Sequence, residues 1–191
     1  IRDGYLVRPN IYVKKVMSNI WEGKDYSSIY KSYIVENMFR NLQIMHDAID
    51  QYQMGRTTLI LVTQVKHGQT LEAMLKANNI PAVFISGKSG MKKRRQVIQD
   101  MRDGKVTMVI ASTIADVGLD VPRITSIVEA GAGKSSVTAL QRVGRAIRPF
   151  NDKKEAHYIT YRDTAPYLNT QIDKKLMIWR TEPEFNIIEE G

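Results

Sequence analysis

The chain has 191 residues, of which 43% are hydrophobic and 25% are charged, and this composition excludes a largely disordered or collagen-like protein. It contains no cysteine, which excludes a disulfide scaffold, a Cys-ligated zinc site and thiol chemistry. The 28 Lys and Arg residues outnumber the 20 Asp and Glu residues, and the resulting formal charge of +8 favours a polyanionic partner. The three histidines are too scattered to predict a metal site, so we expect none.

No apolar run reaches the roughly 18 to 20 residues that a membrane-spanning helix needs. The first ten residues, IRDGYLVRPN, lack the apolar core of a signal peptide, and we expect them to belong to the interior of a larger polypeptide. We therefore expect no membrane partner and a cytoplasmic location, which means the host cytoplasm for a viral protein or the nucleus for a eukaryotic one.

Residues 1–55 differ in pattern from the rest of the chain. The stretch IYVKKV (11–16) is compatible with a strand. From Ile34 to Tyr52, apolar residues recur at steps of three and four, which predicts an amphipathic helix that packs on a sheet. We interpret this region as a lead-in segment that precedes a main domain over residues 56–180.

From Thr57 onward, short apolar β-branched runs alternate with helical patterns. The predicted strands cover residues 57–63, 82–86, 106–112, 124–130 and 156–161. Predicted helices lie around Leu71 and Met101, over 136–147, and after Thr164. Strands and helices in regular alternation predict an α/β domain with a parallel sheet covered by helices on both faces. The last eleven residues, 181–191, contain four glutamates and are predicted to form an acidic tail.

Positive charge is concentrated between Lys88 and Lys105. This stretch contains seven basic residues and only two acidic ones, Asp100 and Asp103. The local excess strengthens the prediction of a polyanionic partner such as nucleic acid.

The stretch QRVGRAIRP (141–149) has arginines at every third position, Arg142, Arg145 and Arg148. Residues three apart share a helix face, so two guanidinium groups can point at one polyanion and bind phosphate oxygens bidentately. The alternative is a basic face that is solvated or paired with nearby acids.

The stretch ASTIADVGLDVP (111–122) follows a predicted strand. Ser112 and Thr113 stand where the carboxyl ends of strands in open α/β sheets bind ligands. Gly118 permits close backbone approach, and Asp120 can accept hydrogen bonds from a sugar hydroxyl. The alternative is a polar connection in which Asp120 prepares a turn before Pro122.

The stretch GAGKSS (131–136) ends like a phosphate-binding P-loop. The complete pattern requires glycine at position 128, where this chain has Val128 inside a predicted strand. We expect a small loop bearing Lys134 instead. A small-molecule phosphate enzyme that uses this loop remains an alternative function.

Four motifs together resemble the second, C-terminal RecA-like motor domain of superfamily 2 helicases and translocases. They are LILVTQVKHGQTLEAML, FISGKSGMKKRRQVIQDMRDGKVTMVIAST, ADVGLDVP and QRVGRAIRP, in the family's order and spacing over about residues 57–161. The segment before Arg56 resembles the lead-in of the UvsW-like group of phage and repair helicases. The resemblance implies a RecA-like three-layer fold, DNA or RNA as partner, and ATP with Mg²⁺ as the fuel of DNA translocation or repair.

The resemblance also implies roles for particular residues. Arg145 and Arg148 correspond to arginine fingers that reach the γ-phosphate of ATP, and Gln141 to a residue that orients the attacking water. Gly118 and Asp120 correspond to positions that face the nucleotide and its ribose. The residues that correspond to the track for a single nucleic-acid strand are Thr63, Ser86, Gly87, Lys88, Ser112 and Thr113.

This chain departs from the pattern of DEAD-box RNA helicases in two places. Ser86 stands where a histidine is usual, and Ala146-Ile147 replaces Thr-Gly. Both departures favour the DNA translocase branches over the DEAD-box RNA helicases, while DNA and RNA both remain alternatives as the partner. The chain also lacks a complete P-loop and a DExD/H sequence, so the resemblance implies that ATP is held mainly by an N-terminal RecA-like domain of the same protein, without which the chain is inactive. The alternative is a non-catalytic nucleic-acid-binding module with a helicase-like fold.

Overall fold

The structure is a computed structural model that describes residues 7–112, 121–132, 144, 153 and 155–190. The strands in this part of the chain are β1 (Arg8–Lys15), β2 (Thr58–Val62), β3 (Val83–Ile85), β4 (Met108–Ser112), β5 (Ser126–Glu129), β6 (Glu155–Arg162) and β7 (Asn186–Glu189). They form one sheet in the order β3-β4-β2-β5-β6-β1-β7, and every neighbouring pair is parallel.

Helices cover both faces of the sheet. They are α1 (Tyr26–Ile29), a π-helical segment (Tyr30–Val35), α2 (Met38–Gln53), α3 (Val65–Ala77), α4 (Met91–Arg102) and α5 (Gln171–Trp179). The π-helical segment, α2 and α3 pack in the core on one face, while α4 and α5 pack in the core on the other. The predicted α/β architecture, a parallel sheet between two helical layers, is confirmed.

Strand β2 shows why this sequence forms a covered sheet. All five of its residues are buried. Leu59 and Leu61 contribute to the core on the α4 side, and Ile60 and Val62 contribute to the core on the α3 side. Successive side chains of a strand point to opposite faces, so a continuous apolar run is stable only where both faces are covered.

The amphipathic helix predicted from Ile34 begins at Met38 in the structure. Asn37 caps α2, because its Oδ1 accepts a hydrogen bond from the Arg40 amide at 3.3 Å. Ile34 lies in the π-helical segment, which ends with the Glu36 amide donating to the Lys31 carbonyl. The apolar periodicity runs through this break because both segments bury residues in the same core.

The C-terminal part differs from prediction in two ways. The helix predicted after Thr164 begins at Gln171. The prediction of an acidic tail is wrong for residues 186–189, which form β7 and pair with β1. Its acidic residue Glu189 is not simply solvated, because the carboxylate accepts hydrogen bonds from Arg162 and Arg180. Pairing with the backbone of β1 outweighs the charged composition that suggested a tail.

The predicted helix over 136–147 lies outside the described residues except for Gly144, which is helical. None of the helices that the structure describes is both long and apolar enough to cross a bilayer.

Replacement of Trp179 by alanine tests the packing of α5. Trp179 is fully buried and its ring packs edge-on against Tyr158, with 5.5 Å between centroids. Trp179→Ala should lower the free energy of unfolding by about 3 to 5 kcal/mol, because it opens a large cavity. The matched control is Trp21→Ala, since Trp21 is 37% exposed, and its cost should be about 1 kcal/mol. Urea denaturation followed by circular dichroism measures both, and equal losses would contradict this account of the core.

Candidate functional site

The predicted binding residues that the structure describes lie at one edge of the sheet. Thr63 follows β2, Ser86 follows β3, and Ser112 ends β4. Strands β3, β4 and β2 are neighbours and parallel, so their carboxyl ends meet at the same edge. This is the edge at which open α/β sheets bind ligands.

A tight turn after β3 presents Gly87 and Lys88 to solvent. The Ser86 amide donates to the Ser89 hydroxyl at 3.0 Å, and the Ser89 amide donates to the Ser86 carbonyl at 3.0 Å. The Ser86 hydroxyl is buried and accepts from the Lys88 amide at 3.3 Å. Ser86 and Ser89 therefore build the turn, while the exposed Lys88 ammonium is available to an anion.

Thr63 is packed against the exit of β5. Its hydroxyl makes a hydrogen bond with the Tyr30 hydroxyl. The Gly131 amide donates to the Leu61 carbonyl at 2.9 Å, and a Cβ atom added at Gly131 would lie 2.9 Å from the Thr63 nitrogen. Only glycine fits this close approach, so the ends of β2 and β5 are held backbone against backbone.

Tyr30 is a site residue that sequence reasoning missed. Burial raises its pKa to about 12, so the phenol stays neutral and can donate a hydrogen bond. Its hydroxyl lies 3.5 Å from the Ala132 carbonyl as well as next to Thr63. Tyr30 is 33 residues from Thr63 and 102 from Ala132 in sequence, and no local motif signals that it joins two strand ends.

Helix α4 extends the positive charge of the turn. Lys92, Lys93 and Arg95 are exposed in its amino-terminal half. The two acidic residues lie at its other end, where Asp100 accepts from the Gln96 amide group and Asp103 accepts from that of Gln99. The positive surface therefore adjoins Lys88, beside the sheet edge.

Six predicted site residues lie outside the described residues, and the structure gives them no geometry. They are Thr113, Gly118, Asp120, Gln141, Arg145 and Arg148. In sequence, the described residues that adjoin them are Ser112, which is buried at the end of β4, Val121, which follows Asp120, and Gly144, which precedes Arg145. Val128 is buried inside β5, so the missing first glycine of the P-loop pattern falls within a strand, as the sequence predicted.

His67 is buried in α3 behind this edge. The Asn41 amide nitrogen donates to the Val35 carbonyl at 3.0 Å, which leaves the Asn41 Oδ1 to accept from the His67 Nε2 at 2.9 Å. Burial, aided by the positive charge of Arg40, lowers the pKa of His67 to about 3. A neutral imidazole that joins two helices is a structural group. Among the described residues, no three His, Asp or Glu side chains are arranged to hold a metal ion.

Comparison with known proteins identifies the family of the chain. Residues 40–149 match the family model described as the helicase conserved C-terminal domain. The chain is 28% identical over 138 residues to "Putative helicase 22" of Sulfolobus islandicus filamentous virus, covering 71% of this chain and 24% of that protein. It is 23% identical over 159 residues to "ATP-dependent rRNA helicase RRP3" of Meyerozyma guilliermondii, covering 83% and 33%. The chain thus spans about a quarter of the length of the first relative and about a third of the length of the second.

A solved structure has the same fold over nearly the whole chain. The crystal structure of T4 UvsW matches with a TM-score of 0.73 and 20% identity, covering 95% of this chain and 40% of that one. The predicted RecA-like architecture is therefore confirmed. The same sheet also contains β1 and β7, which lie outside residues 56–180.

The pH dependence of stability tests whether His67 is structural. Its pKa in the folded chain lies below the ordinary value of 6.5, so the unfolded chain binds a proton that the folded chain does not. The neutral imidazole of His67 contributes fully to the stability of the folded chain above pH 6.5, and this contribution is lost as the pH falls toward 3. When the pH falls from 7 to 5, the parent should lose about 2 kcal/mol more unfolding free energy than the His67→Gln variant, because glutamine does not titrate. Urea titrations at both pH values measure this, and identical pH dependence in parent and variant would contradict it.

Proposed function

Because the chain belongs to the helicase conserved C-terminal domain family, we propose that it is the second motor half of an ATP-dependent nucleic-acid helicase or translocase. The family match over residues 40–149 is the observation that carries this proposal. The fold supports it, because the ends of β2, β3 and β4 form one edge that a nucleic-acid strand can follow.

The proposed track for a nucleic-acid strand runs along this edge. Lys88 is exposed at the tip of the turn after β3 and is suited to bind a backbone phosphate. Gly87 has no side chain, so a nucleic-acid strand can approach the backbone closely there. Beneath this surface, Thr63, Ser86 and Ser112 lie at the carboxyl ends of β2, β3 and β4, and Thr113 follows Ser112 in sequence. The exposed cations of α4 extend the positive surface and raise the local concentration of a polyanion.

The proposed catalytic contribution comes from the arginine motif. Charge that develops on the transferred phosphoryl group needs cations placed in advance, and Arg145 and Arg148 supply them. Gln141 orients the attacking water, and Gly118 and Asp120 contact the nucleotide. ATP is held mainly by an N-terminal RecA-like domain. Mg²⁺ is expected with the phosphates on that other half, because this chain lacks a complete P-loop and a DExD/H sequence.

The proposed mechanism couples hydrolysis to movement through domain closure. ATP draws the two halves together, and hydrolysis lets them separate, so a strand held by both halves advances stepwise. We propose DNA rather than RNA as the strand, because Ser86 and the Ala146-Ile147 pair depart from the pattern of DEAD-box RNA helicases.

Replacement of Arg148 tests the finger role. In a mixture of this chain with the ATP-binding half, Arg148→Ala should lower ATP turnover by about 10³- to 10⁵-fold, because the transition state loses a preplaced cation. Affinity for single-stranded DNA should stay at the parent value. The matched control is Arg180→Ala, which removes an exposed arginine paired with Glu189 at the end of α5. Turnover of the Arg148 variant near that of the control would refute the finger assignment.

Replacement of Lys88 tests the track. Lys88→Ala should weaken single-stranded DNA binding and reduce the slope of log K against log salt by about 0.7, the effect of one lost phosphate contact. The exposed Lys174 on α5 provides the matched control, and Lys174→Ala should leave both quantities unchanged. Fluorescence anisotropy at a series of salt concentrations measures them for DNA and RNA oligonucleotides. An unchanged slope in the Lys88 variant contradicts the proposed contact.

A further inference from the structure

Four charged side chains are buried together at the carboxyl ends of β5 and β6. This charge cluster consists of Arg40, Glu129, Asp163 and Lys175, each at most 6% exposed. Arg40 Nε donates to Asp163 Oδ1 at 3.0 Å, and Lys175 Nζ donates to Glu129 Oε2 at 2.6 Å. The two cations and two carboxylates balance in formal charge, but each has been removed from water.

Arg40 makes a second, different contact. Its Nη1 donates to the carbonyl of Ala130, the first residue beyond β5, at 2.6 Å. The guanidinium also lies over the Tyr161 ring, 5.2 Å from its centroid. Three partners on different sides fix the position of this planar group, and through it the position of the Ala130 carbonyl.

The charge cluster holds the chain from both faces of the sheet. Arg40 comes from α2, which packs on one face, and Lys175 comes from α5, which packs on the other. Lys175 donates a hydrogen bond to Glu129, which is the residue directly before Ala130. The Thr160 hydroxyl donates to the same Glu129 oxygen at 2.9 Å, so the end of β5 is tied to β6 as well.

Contacts continue over the next two residues, so that all of 129–132, which we name the strand exit, is held. The Gly131 amide donates to the Leu61 carbonyl of β2, and the Tyr30 hydroxyl lies by the Ala132 carbonyl. In sequence, the strand exit directly precedes the segment that contains Gln141, Arg145 and Arg148.

Buried ion pairs are a poor means of stabilising a fold. Desolvation of the charges offsets most of their attraction, and apolar side chains of similar size often serve stability equally well. What such a pair supplies is geometry, because each hydrogen bond has a fixed direction. One hydrogen bond of Arg40 goes to the Ala130 carbonyl at the strand exit. The chain continues from the strand exit into the segment that carries the arginine motif.

We propose that Arg40 is a positioning residue that fixes the strand exit and thereby the start of the segment carrying the arginine motif. Arg40 sets the place of the Ala130 carbonyl from one face, and Lys175 supports Glu129 from the other. The effect of Arg40 on turnover rests on the proposed function, whereas its hold on the strand exit does not.

Hydrogen exchange tests the hold on the strand exit in this chain by itself. Arg40→Lys keeps a positive charge for Asp163 but loses the guanidinium that bonds two groups at once, so the Gly131 amide should exchange about tenfold faster or more. The double variant Arg40→Met with Asp163→Asn leaves no unpaired buried carboxylate and should show the same change. The matched control is Lys14→Met, which removes a cation that pairs with Asp47 of α2 and with Glu190, neither of which belongs to the strand exit.

The control variant should keep parent protection at Gly131. Parent protection in both Arg40 variants would overturn the proposal, and so would equal loss of protection in the Lys14 control, because that would mean a general loosening of α2.

Turnover tests the consequence for the reaction. Mixed with the ATP-binding half, the Arg40 variants should lose about tenfold to a hundredfold in kcat, because displaced groups no longer meet the reacting phosphate. KM for ATP should remain at the parent value, and Lys14→Met should keep the parent kcat. Parent kcat in the Arg40 variants would overturn the positioning role. Absence of turnover in the parent mixture would contradict the proposed function, while the exchange result would still decide the hold on the strand exit.

Discussion

Parallel pairing is the constraint on which the rest of this molecule depends. The seven strands that the structure describes run in one direction, and the carboxyl ends of β3, β4, β2 and β5 follow one another along a single edge. Because helices cover both faces, a central strand such as β2 has an apolar interior, and the predicted binding residues lie at the carboxyl ends of the strands. The turn after β3, the Thr63 contact and the strand exit of β5 lie along the same edge for this reason, although they are distant in sequence.

The buried charges at this edge follow a different logic from the core around them. Apolar residues such as Ile60 and Leu61 stabilise the sheet by leaving water. Arg40 and Lys175 instead carry charge into the interior, where it is tolerated only because each meets a carboxylate. Burial raises the pKa of Asp163 even so, while Arg40 opposes that shift. Such a cluster fixes the positions of the groups that it bonds more than it stabilises the fold. For this reason we connect it with the placement of the arginine motif.

The sheet was predictable because burial on both faces leaves a strong local signal. The run from Thr58 to Val62 is apolar at consecutive positions, and such runs marked the central strands. Motif order likewise indicates the family from the sequence alone. Local signals do not report distant partners. Arg40 meets Asp163 across 123 residues, and Tyr30 meets Thr63 across 33, so neither was predicted as part of the site. Strand β7 was not predicted, because the glutamates of residues 181–191 suggested a tail and composition does not report the backbone pairing with β1.

The most direct test of the central claim is ATP hydrolysis by this chain, with and without single-stranded DNA, alone and then mixed with the ATP-binding half. If the chain is half of a motor, it should show no hydrolysis by itself and DNA-stimulated hydrolysis in the mixture. Hydrolysis by the chain alone would mean that it contains a complete nucleotide site. DNA binding without any hydrolysis in the mixture would make the chain a non-catalytic binding module. Either of these two results would contradict the claim.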